Sequence, residues 1–189
     1  MKAQKSWWQW GLDVTLVISM LLLAVGPAAA QENLLTNAGF EDGFHIQGGA
    51  PEVSVADGWT AWWKQGSQQQ TNQGYLVRPE YKGEDGDVYG YDRVHSGRFS
   101  LKFFSTFSTH DAGLLQTVNV PTGATLQFTA WAQTWSSGGD DPDQTVEPGY
   151  YQTSIGIDPA GGTNPFGDSV VWSDSQLANN IWVDRKSVV

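Results

Sequence analysis

The chain has 189 residues, with ten tryptophans, 22 glycines, no cysteine and a formal net charge of −10, and an isoelectric point near 4.5. That balance excludes nucleic acid as a partner, since nucleic acid asks for clustered Lys and Arg, and it argues equally against anionic membrane surfaces. With no cysteine there is no disulfide frame, so a domain of this size is held by its core, with a bound metal as the other possible support.

Residues 1–30 come first and differ from the rest. Lys2 and Lys5 make a basic start, residues 14–30 are mostly apolar, and the stretch ends Gly26-Pro27-Ala28-Ala29-Ala30. A basic start, an apolar middle and small residues at an A-x-A site predict a cleavable secretory signal, cut after Ala30. The apolar run is short of the roughly 20 residues that a membrane span prefers, and no basic stop follows it. The expectation is a secreted or extracellular-surface protein with no membrane span after signal removal, and one domain over residues 31–189.

Beyond residue 30 no i, i+3, i+4, i+7 pattern persists. Short alternating runs divided by Gly, Pro, Asn and Asp recur instead, which predicts an all-β fold. The expected strands are 33–35, 58–64, 75–78, 99–107, 114–120, 125–135, 150–157, 170–173 and 181–189. Residues 65–73, rich in Gln, and residues 136–149 read as polar loops. Trp59 and Trp172 read as core. The run 125–135 is the most legible: Leu126, Phe128, Ala130 and Ala132 make a core face. Gln127, Thr129, Trp131, Gln133 and Trp135 make a face of amides, a hydroxyl and two indoles.

Such a face suits a sugar. The C–H side of a pyranose stacks on an indole, and Gln, Asn, Asp or Arg reach its hydroxyls. Trp131, Trp135, Gln127 and Gln133 are therefore the candidate ligand residues, with Trp62 and Arg78 contributing from elsewhere. The competing reading places these aromatics in the core. Catalytic signals are thin: no pair of carboxylates can be matched as a glycosidase needs, His45, His95 and His110 show no metal spacing, and Ser96 lacks a nucleophile elbow. Asp140, Asp141 and Asp143 cluster without EF-hand spacing. A non-catalytic reading follows.

The opening Asn33-Leu34-Leu35-Thr36-Asn37-Ala38-Gly39-Phe40-Glu41 resembles the start of CenC-type carbohydrate-binding modules. Val94-His95-Ser96-Gly97-Arg98-Phe99-Ser100-Leu101-Lys102 and Leu114-Leu115-Gln116-Thr117-Val118-Asn119-Val120-Pro121-Thr122-Gly123 look like two further motifs of that family. Gly58-Trp59-Thr60-Ala61-Trp62-Trp63, Arg78-Pro79-Glu80-Tyr81 and Gly156-Ile157-Asp158-Pro159-Ala160-Gly161-Gly162-Thr163 resemble a narrower group of exported bacterial proteins. The resemblance implies a galactose-binding-like jelly-roll β-sandwich that binds a polysaccharide or other glycan. It also implies a structural calcium held by Glu41, by the backbone near Ser96 and by Asp184. Family members close with strands that this chain lacks or shortens after Ser173, so the sandwich is expected to miss its last one or two strands. Two rivals remain: a structural or protein-interaction domain of the same fold, and the accessory module of a glycoside hydrolase.

Overall fold

Strands this short, each ended by a turn residue within a few positions, pair with whatever lies nearest in space. The computed structural model describes residues 33–136 and 151–189. Among them ten strands appear: β1 (Phe44–Ile46), β2 (Ser54–Ala56), β3 (Thr60–Trp63), β4 (Glu80–Asp85), β5 (Phe99–Phe104), β6 (Ala112–Leu115), β7 (Gln127–Ala132), β8 (Gly156–Ile157), β9 (Val171–Trp172) and β10 (Val183–Val188). They form five two-stranded sheets, β1–β2, β3–β6, β4–β5, β7–β10 and β8–β9, and every pair is antiparallel. The expected β class therefore holds, with only two short α-helices, α1 (Gln68–Asn72) and α2 (Gly86–Tyr89), among the described residues. No helix among those residues is long and apolar enough to cross a membrane. The expected signal, most of the 136–149 loop and its three aspartates lie outside the described residues.

The core gathers where β2, β3 and β4 meet. Val53, Val55, Ala56, Trp59, Ala61 and Tyr81 are buried together, and Leu101, Phe103, Leu114 and Phe128 pack against them. Each large apolar side chain so enclosed contributes on the order of 1.5–3 kcal/mol. Tyr81 is the hub. Its ring stacks on Phe103 at 5.3 Å and tilts against Trp63, and its amide donates to the Glu52 carbonyl at 2.8 Å. Its hydroxyl lies 2.7 Å from the Trp62 carbonyl and 3.3 Å from that of Gly113, and donates there. Burial is the main cause that pushes this phenol far above its ordinary pKa, so it stays a donor.

The opening motif works as a clasp on this core. Asn37 holds a left-handed φ of 48°, which asparagine tolerates better than most residues. Its side chain donates to the Asp57 carbonyl at 3.1 Å and accepts from the Asp42 amide at 2.9 Å. The Asn37 carbonyl accepts from the indole of Trp59 at 3.1 Å, and Phe40 packs on the same ring at 5.7 Å. Trp59 is thus core, as its sequence position suggests.

Several expectations need correction. Residues 75–78 form no strand, and the real one, β4, begins at Glu80. Its sequence Glu-Tyr-Lys-Gly-Glu-Asp hides it, because Tyr81 is buried on one face and Glu84 on the other. Glu84, 5% exposed, is neutralised by Lys102 diagonally across the β4–β5 pair. β1 and β2 were not expected either, since three residues show no period. β6 runs over Ala112–Leu115 rather than 114–120, because its register is set by Trp63 facing Ala112. Residues 65–73 are not all loop: Ser67 and Gln70 cap α1 reciprocally, at 2.8 and 3.3 Å, the pairing that starts a helix. Trp172 is not core. It is 44% exposed and lies over Gly156, its partner across β8–β9.

Arg185 is a buried cation, 4% exposed. It donates to the Ser173 hydroxyl at 3.0 Å, and among the described residues its Nε has no hydrogen-bond partner.

Tyr81→Phe keeps the ring stack and removes the hydroxyl that donates to the Trp62 and Gly113 carbonyls. We expect a loss of about 1–3 kcal/mol, the penalty for leaving a buried polar group without its partner, measured by urea denaturation. An unchanged midpoint would show that these carbonyls find another donor.

Candidate functional site

Alternation along β7 delivers the two faces that its sequence promises. Phe128, Ala130 and Ala132 turn inward, while Gln127, Thr129 and Trp131 are exposed. The partner strand adds what the sequence did not show. In register, Asp184 lies opposite Trp131, Lys186 opposite Thr129 and Val188 opposite Gln127, and all three are exposed. Directly opposed residues on one face stand within reach of one another's neighbours, so an indole, a carboxylate, an ammonium, an amide and a hydroxyl share one small surface.

Trp131 is held but not covered. His95 stacks on it at 4.2 Å with the rings 15° from parallel, and Trp182 meets His95 edge-on at 5.3 Å. The indole is still 51% exposed. A plate packed on one side and open on the other loses little entropy when a flat ligand settles on it.

Trp135 and Gln133 do not extend this plate. β7 ends at Ala132, and beyond it the chain runs beside residues 91–95. Arg93 lies over the Trp135 ring at 4.3 Å, and the Lys102 ammonium approaches the same ring at 5.9 Å. Gln133 accepts from Arg93 at 3.3 Å and donates to the Asp92 carbonyl at 3.4 Å. Both side chains thus spend their chemistry on the fold. Extending the alternation of the strand past its end suggested otherwise.

Trp62 and Arg78 belong to other surfaces. Trp62 is on β3, with its ring over Gly113 of β6 and Phe166 edge-on at 5.5 Å. Arg78 reaches Glu52 at 3.4 Å and lies 6.0 Å from the Trp63 ring.

The residues expected around calcium are only partly assembled. Glu41 does reach the Ser96–Gly97 turn, where its Oε1 accepts from the amides of Arg98 and Phe99 at 2.9 and 3.0 Å. Gly97, at φ +73°, permits this, because a Cβ there would meet the same carboxylate oxygen. Beside it Arg98 grips Asp85 through two bonds of 2.8 and 2.6 Å, which holds the Asp85 carboxyl below its ordinary range. Asp184, by contrast, belongs to the Trp131 face. Among the described residues no three His, Asp or Glu side chains gather where a metal ion would sit.

A serine–histidine pair is also present. Ser105 lies 2.7 Å from His110 Nδ1 and 3.1 Å from the Ser108 carbonyl, which closes the turn between β5 and β6. Burial lowers the histidine's pKa, opposed in part by Asp111.

No family model matches this chain, and no curated protein or solved structure matches it.

The two indoles of the expected plate should now part company under mutation. Trp135→Ala removes a ring packed by two cations and should cost about 3 kcal/mol, the lower end of the range for large aromatic truncations. Trp131→Ala should cost less than about 1.5 kcal/mol, the scale of one aromatic stack. Thermal melts of the two variants check this, and equal losses would return Trp131 to the core.

Proposed function

We propose that this chain is an exported, non-catalytic carbohydrate-binding module of the galactose-binding-like jelly-roll type, and that its glycan lies on the outer face of β7–β10. The observation that carries the reading is the half-open Trp131 indole, backed by His95 and faced by Asp184. The exposed side of the ring supplies the apolar plate for the C–H face of a pyranose. The Asp184 carboxylate accepts from vicinal hydroxyls, Lys186 and Gln127 donate, and the Thr129 hydroxyl does either. No bond is made or broken, and affinity comes from stacking and hydrogen bonds on a surface already in place.

The roles are thereby redistributed. Asp184, which the family resemblance implies as a metal ligand, becomes a sugar contact, and Trp135 with Gln133 becomes the support of the loop that carries His95. Calcium remains part of the proposal through Glu41 alone. A site there raises Tm in the presence of millimolar calcium, by linkage to the folded state, and does so in the native chain and not in Glu41→Gln. Equal melts with calcium and with chelator would remove it.

The glycan reading is tested by affinity electrophoresis of the exported chain against insoluble and soluble plant, fungal and bacterial polysaccharides. At least one polysaccharide should retard the native protein. Trp131→Ala should abolish the retardation while the melt shifts by only a few degrees, and Asp184→Asn should weaken it. A native protein that no polysaccharide retards, with its melt intact, would favour the structural or protein-interaction rival.

A further inference from the structure

A second surface has the chemistry of a saccharide site and lies on a different sheet. The outer face of β3–β6 forms the floor of an open cleft of about 430 Å³, within the ~300–1,000 Å³ typical of small-ligand sites. Trp62 lies in it, surrounded by Thr36, Thr60, Thr117, Thr163 and Gln116, and the remaining lining is leucine and glycine.

The walls are fixed by the fold. Gln116 accepts from the Thr36 amide at 2.7 Å and donates to the Thr36 and Gly58 carbonyls, each at 2.9 Å. Its amide group is thereby consumed in pinning the N-terminal segment to the turn before β3. Gly58 makes the approach possible: its φ is +87°, and a Cβ there would press on Thr36 at 3.1 Å. Trp62 is pinned as well, by its indole donating to the Leu114 carbonyl at 3.3 Å, by Gly113 beneath and by Phe166 at its edge.

What remains for a ligand is one indole and four threonine hydroxyls. Among the described residues none of these hydroxyls has a hydrogen-bond partner, and all four threonines are exposed. Each can donate and accept. Among the described residues no ionisable side chain lines the cleft, so the described lining offers no charge to a phosphate, a carboxylate or an ammonium. A ligand matched to this lining is uncharged, rich in hydroxyls and apolar on one face.

We infer that the cleft over Trp62 is a second saccharide site, distinct from the Trp131 face, which takes a neutral mono- or disaccharide unit. It stands on its own residues and does not need the Trp131 reading to hold.

The test uses the native chain and four neutral disaccharides, cellobiose, maltose, lactose and mannobiose, each at millimolar concentration. Saturation-transfer NMR reports contact and titration calorimetry reports affinity. At least one disaccharide should bind. The double variant Thr60→Val/Thr163→Val removes two exposed hydroxyls at constant shape, and should weaken that binding about tenfold or more with Tm unchanged. Trp131→Ala should leave disaccharide binding as it is. If none of the four binds, the inference is overturned, whatever a polysaccharide does on the Trp131 face. It is likewise overturned if binding survives in the threonine variant, or is lost in Trp131→Ala. If the threonine variant loses disaccharide while retaining polysaccharide retardation, the two sites are separate and this one stands.

Discussion

The buried phenol of Tyr81 is the constraint on which the architecture depends. Among the described residues the five two-stranded sheets share no continuous ladder, and β4 meets the segment beside β2 only through a single parallel bridge, Val53 with Tyr81. Side-chain contacts must therefore do much to set their relation. Tyr81 sits within β4–β5, takes its backbone partner from Glu52 beside β2, and gives its hydroxyl to the β3–β6 pair. One residue therefore ties three sheets by directional bonds, its hydroxyl reaching β3–β6 and its backbone amide reaching Glu52 beside β2. The same hydroxyl fixes the carbonyl of Trp62, so the floor of the β3–β6 cleft inherits its position from the core.

Around that hub the chain uses close approach where it lacks covalent cross-links. Gly58 and Gly97 both occur at turns where a side chain from the N-terminal segment comes within contact of the backbone. At Gly97 the visitor is a carboxylate that receives two amides, and at Gly58 it is a threonine held by Gln116. These clasps fasten residues 36–41 to strands far along the chain, much as a disulfide would, but by hydrogen bonds. The motif that opens the domain is thus structural through and through: Asn37 shapes the turn, Phe40 packs on Trp59 and Glu41 closes on the Arg98 amide.

The two candidate surfaces differ in a way that their charges make plain. The β7–β10 face places Asp184 and Lys186 beside its indole, and the described lining of the β3–β6 cleft surrounds its own with threonines, Gln116, leucines and glycine. A carboxylate discriminates among hydroxyl arrangements through strong, oriented acceptance. Threonines are weaker and more tolerant partners.

Residue order alone carries the β class, the punctuation by Gly, Asp and Pro, the burial of Trp59, and the inward and outward faces of Gln127–Ala132. Each follows from local rules, namely steric limits on turns and a side-chain period of two. Which strands pair, and with that nearly everything about the candidate sites, depends on long-range contacts that appear only in the folded chain. Asp184 stands beside Trp131 because β10 pairs with β7 in one register, a relation between residues more than fifty positions apart that no local pattern encodes. His95 and Arg93 divide the two indoles for the same reason, one backing a plate and the other capping it. β4 stayed hidden because its burial is split between a phenol on one face and a paired carboxylate on the other. Charge in a sequence reads as exposure until the partner that neutralises it, here Lys102, is brought alongside by the fold.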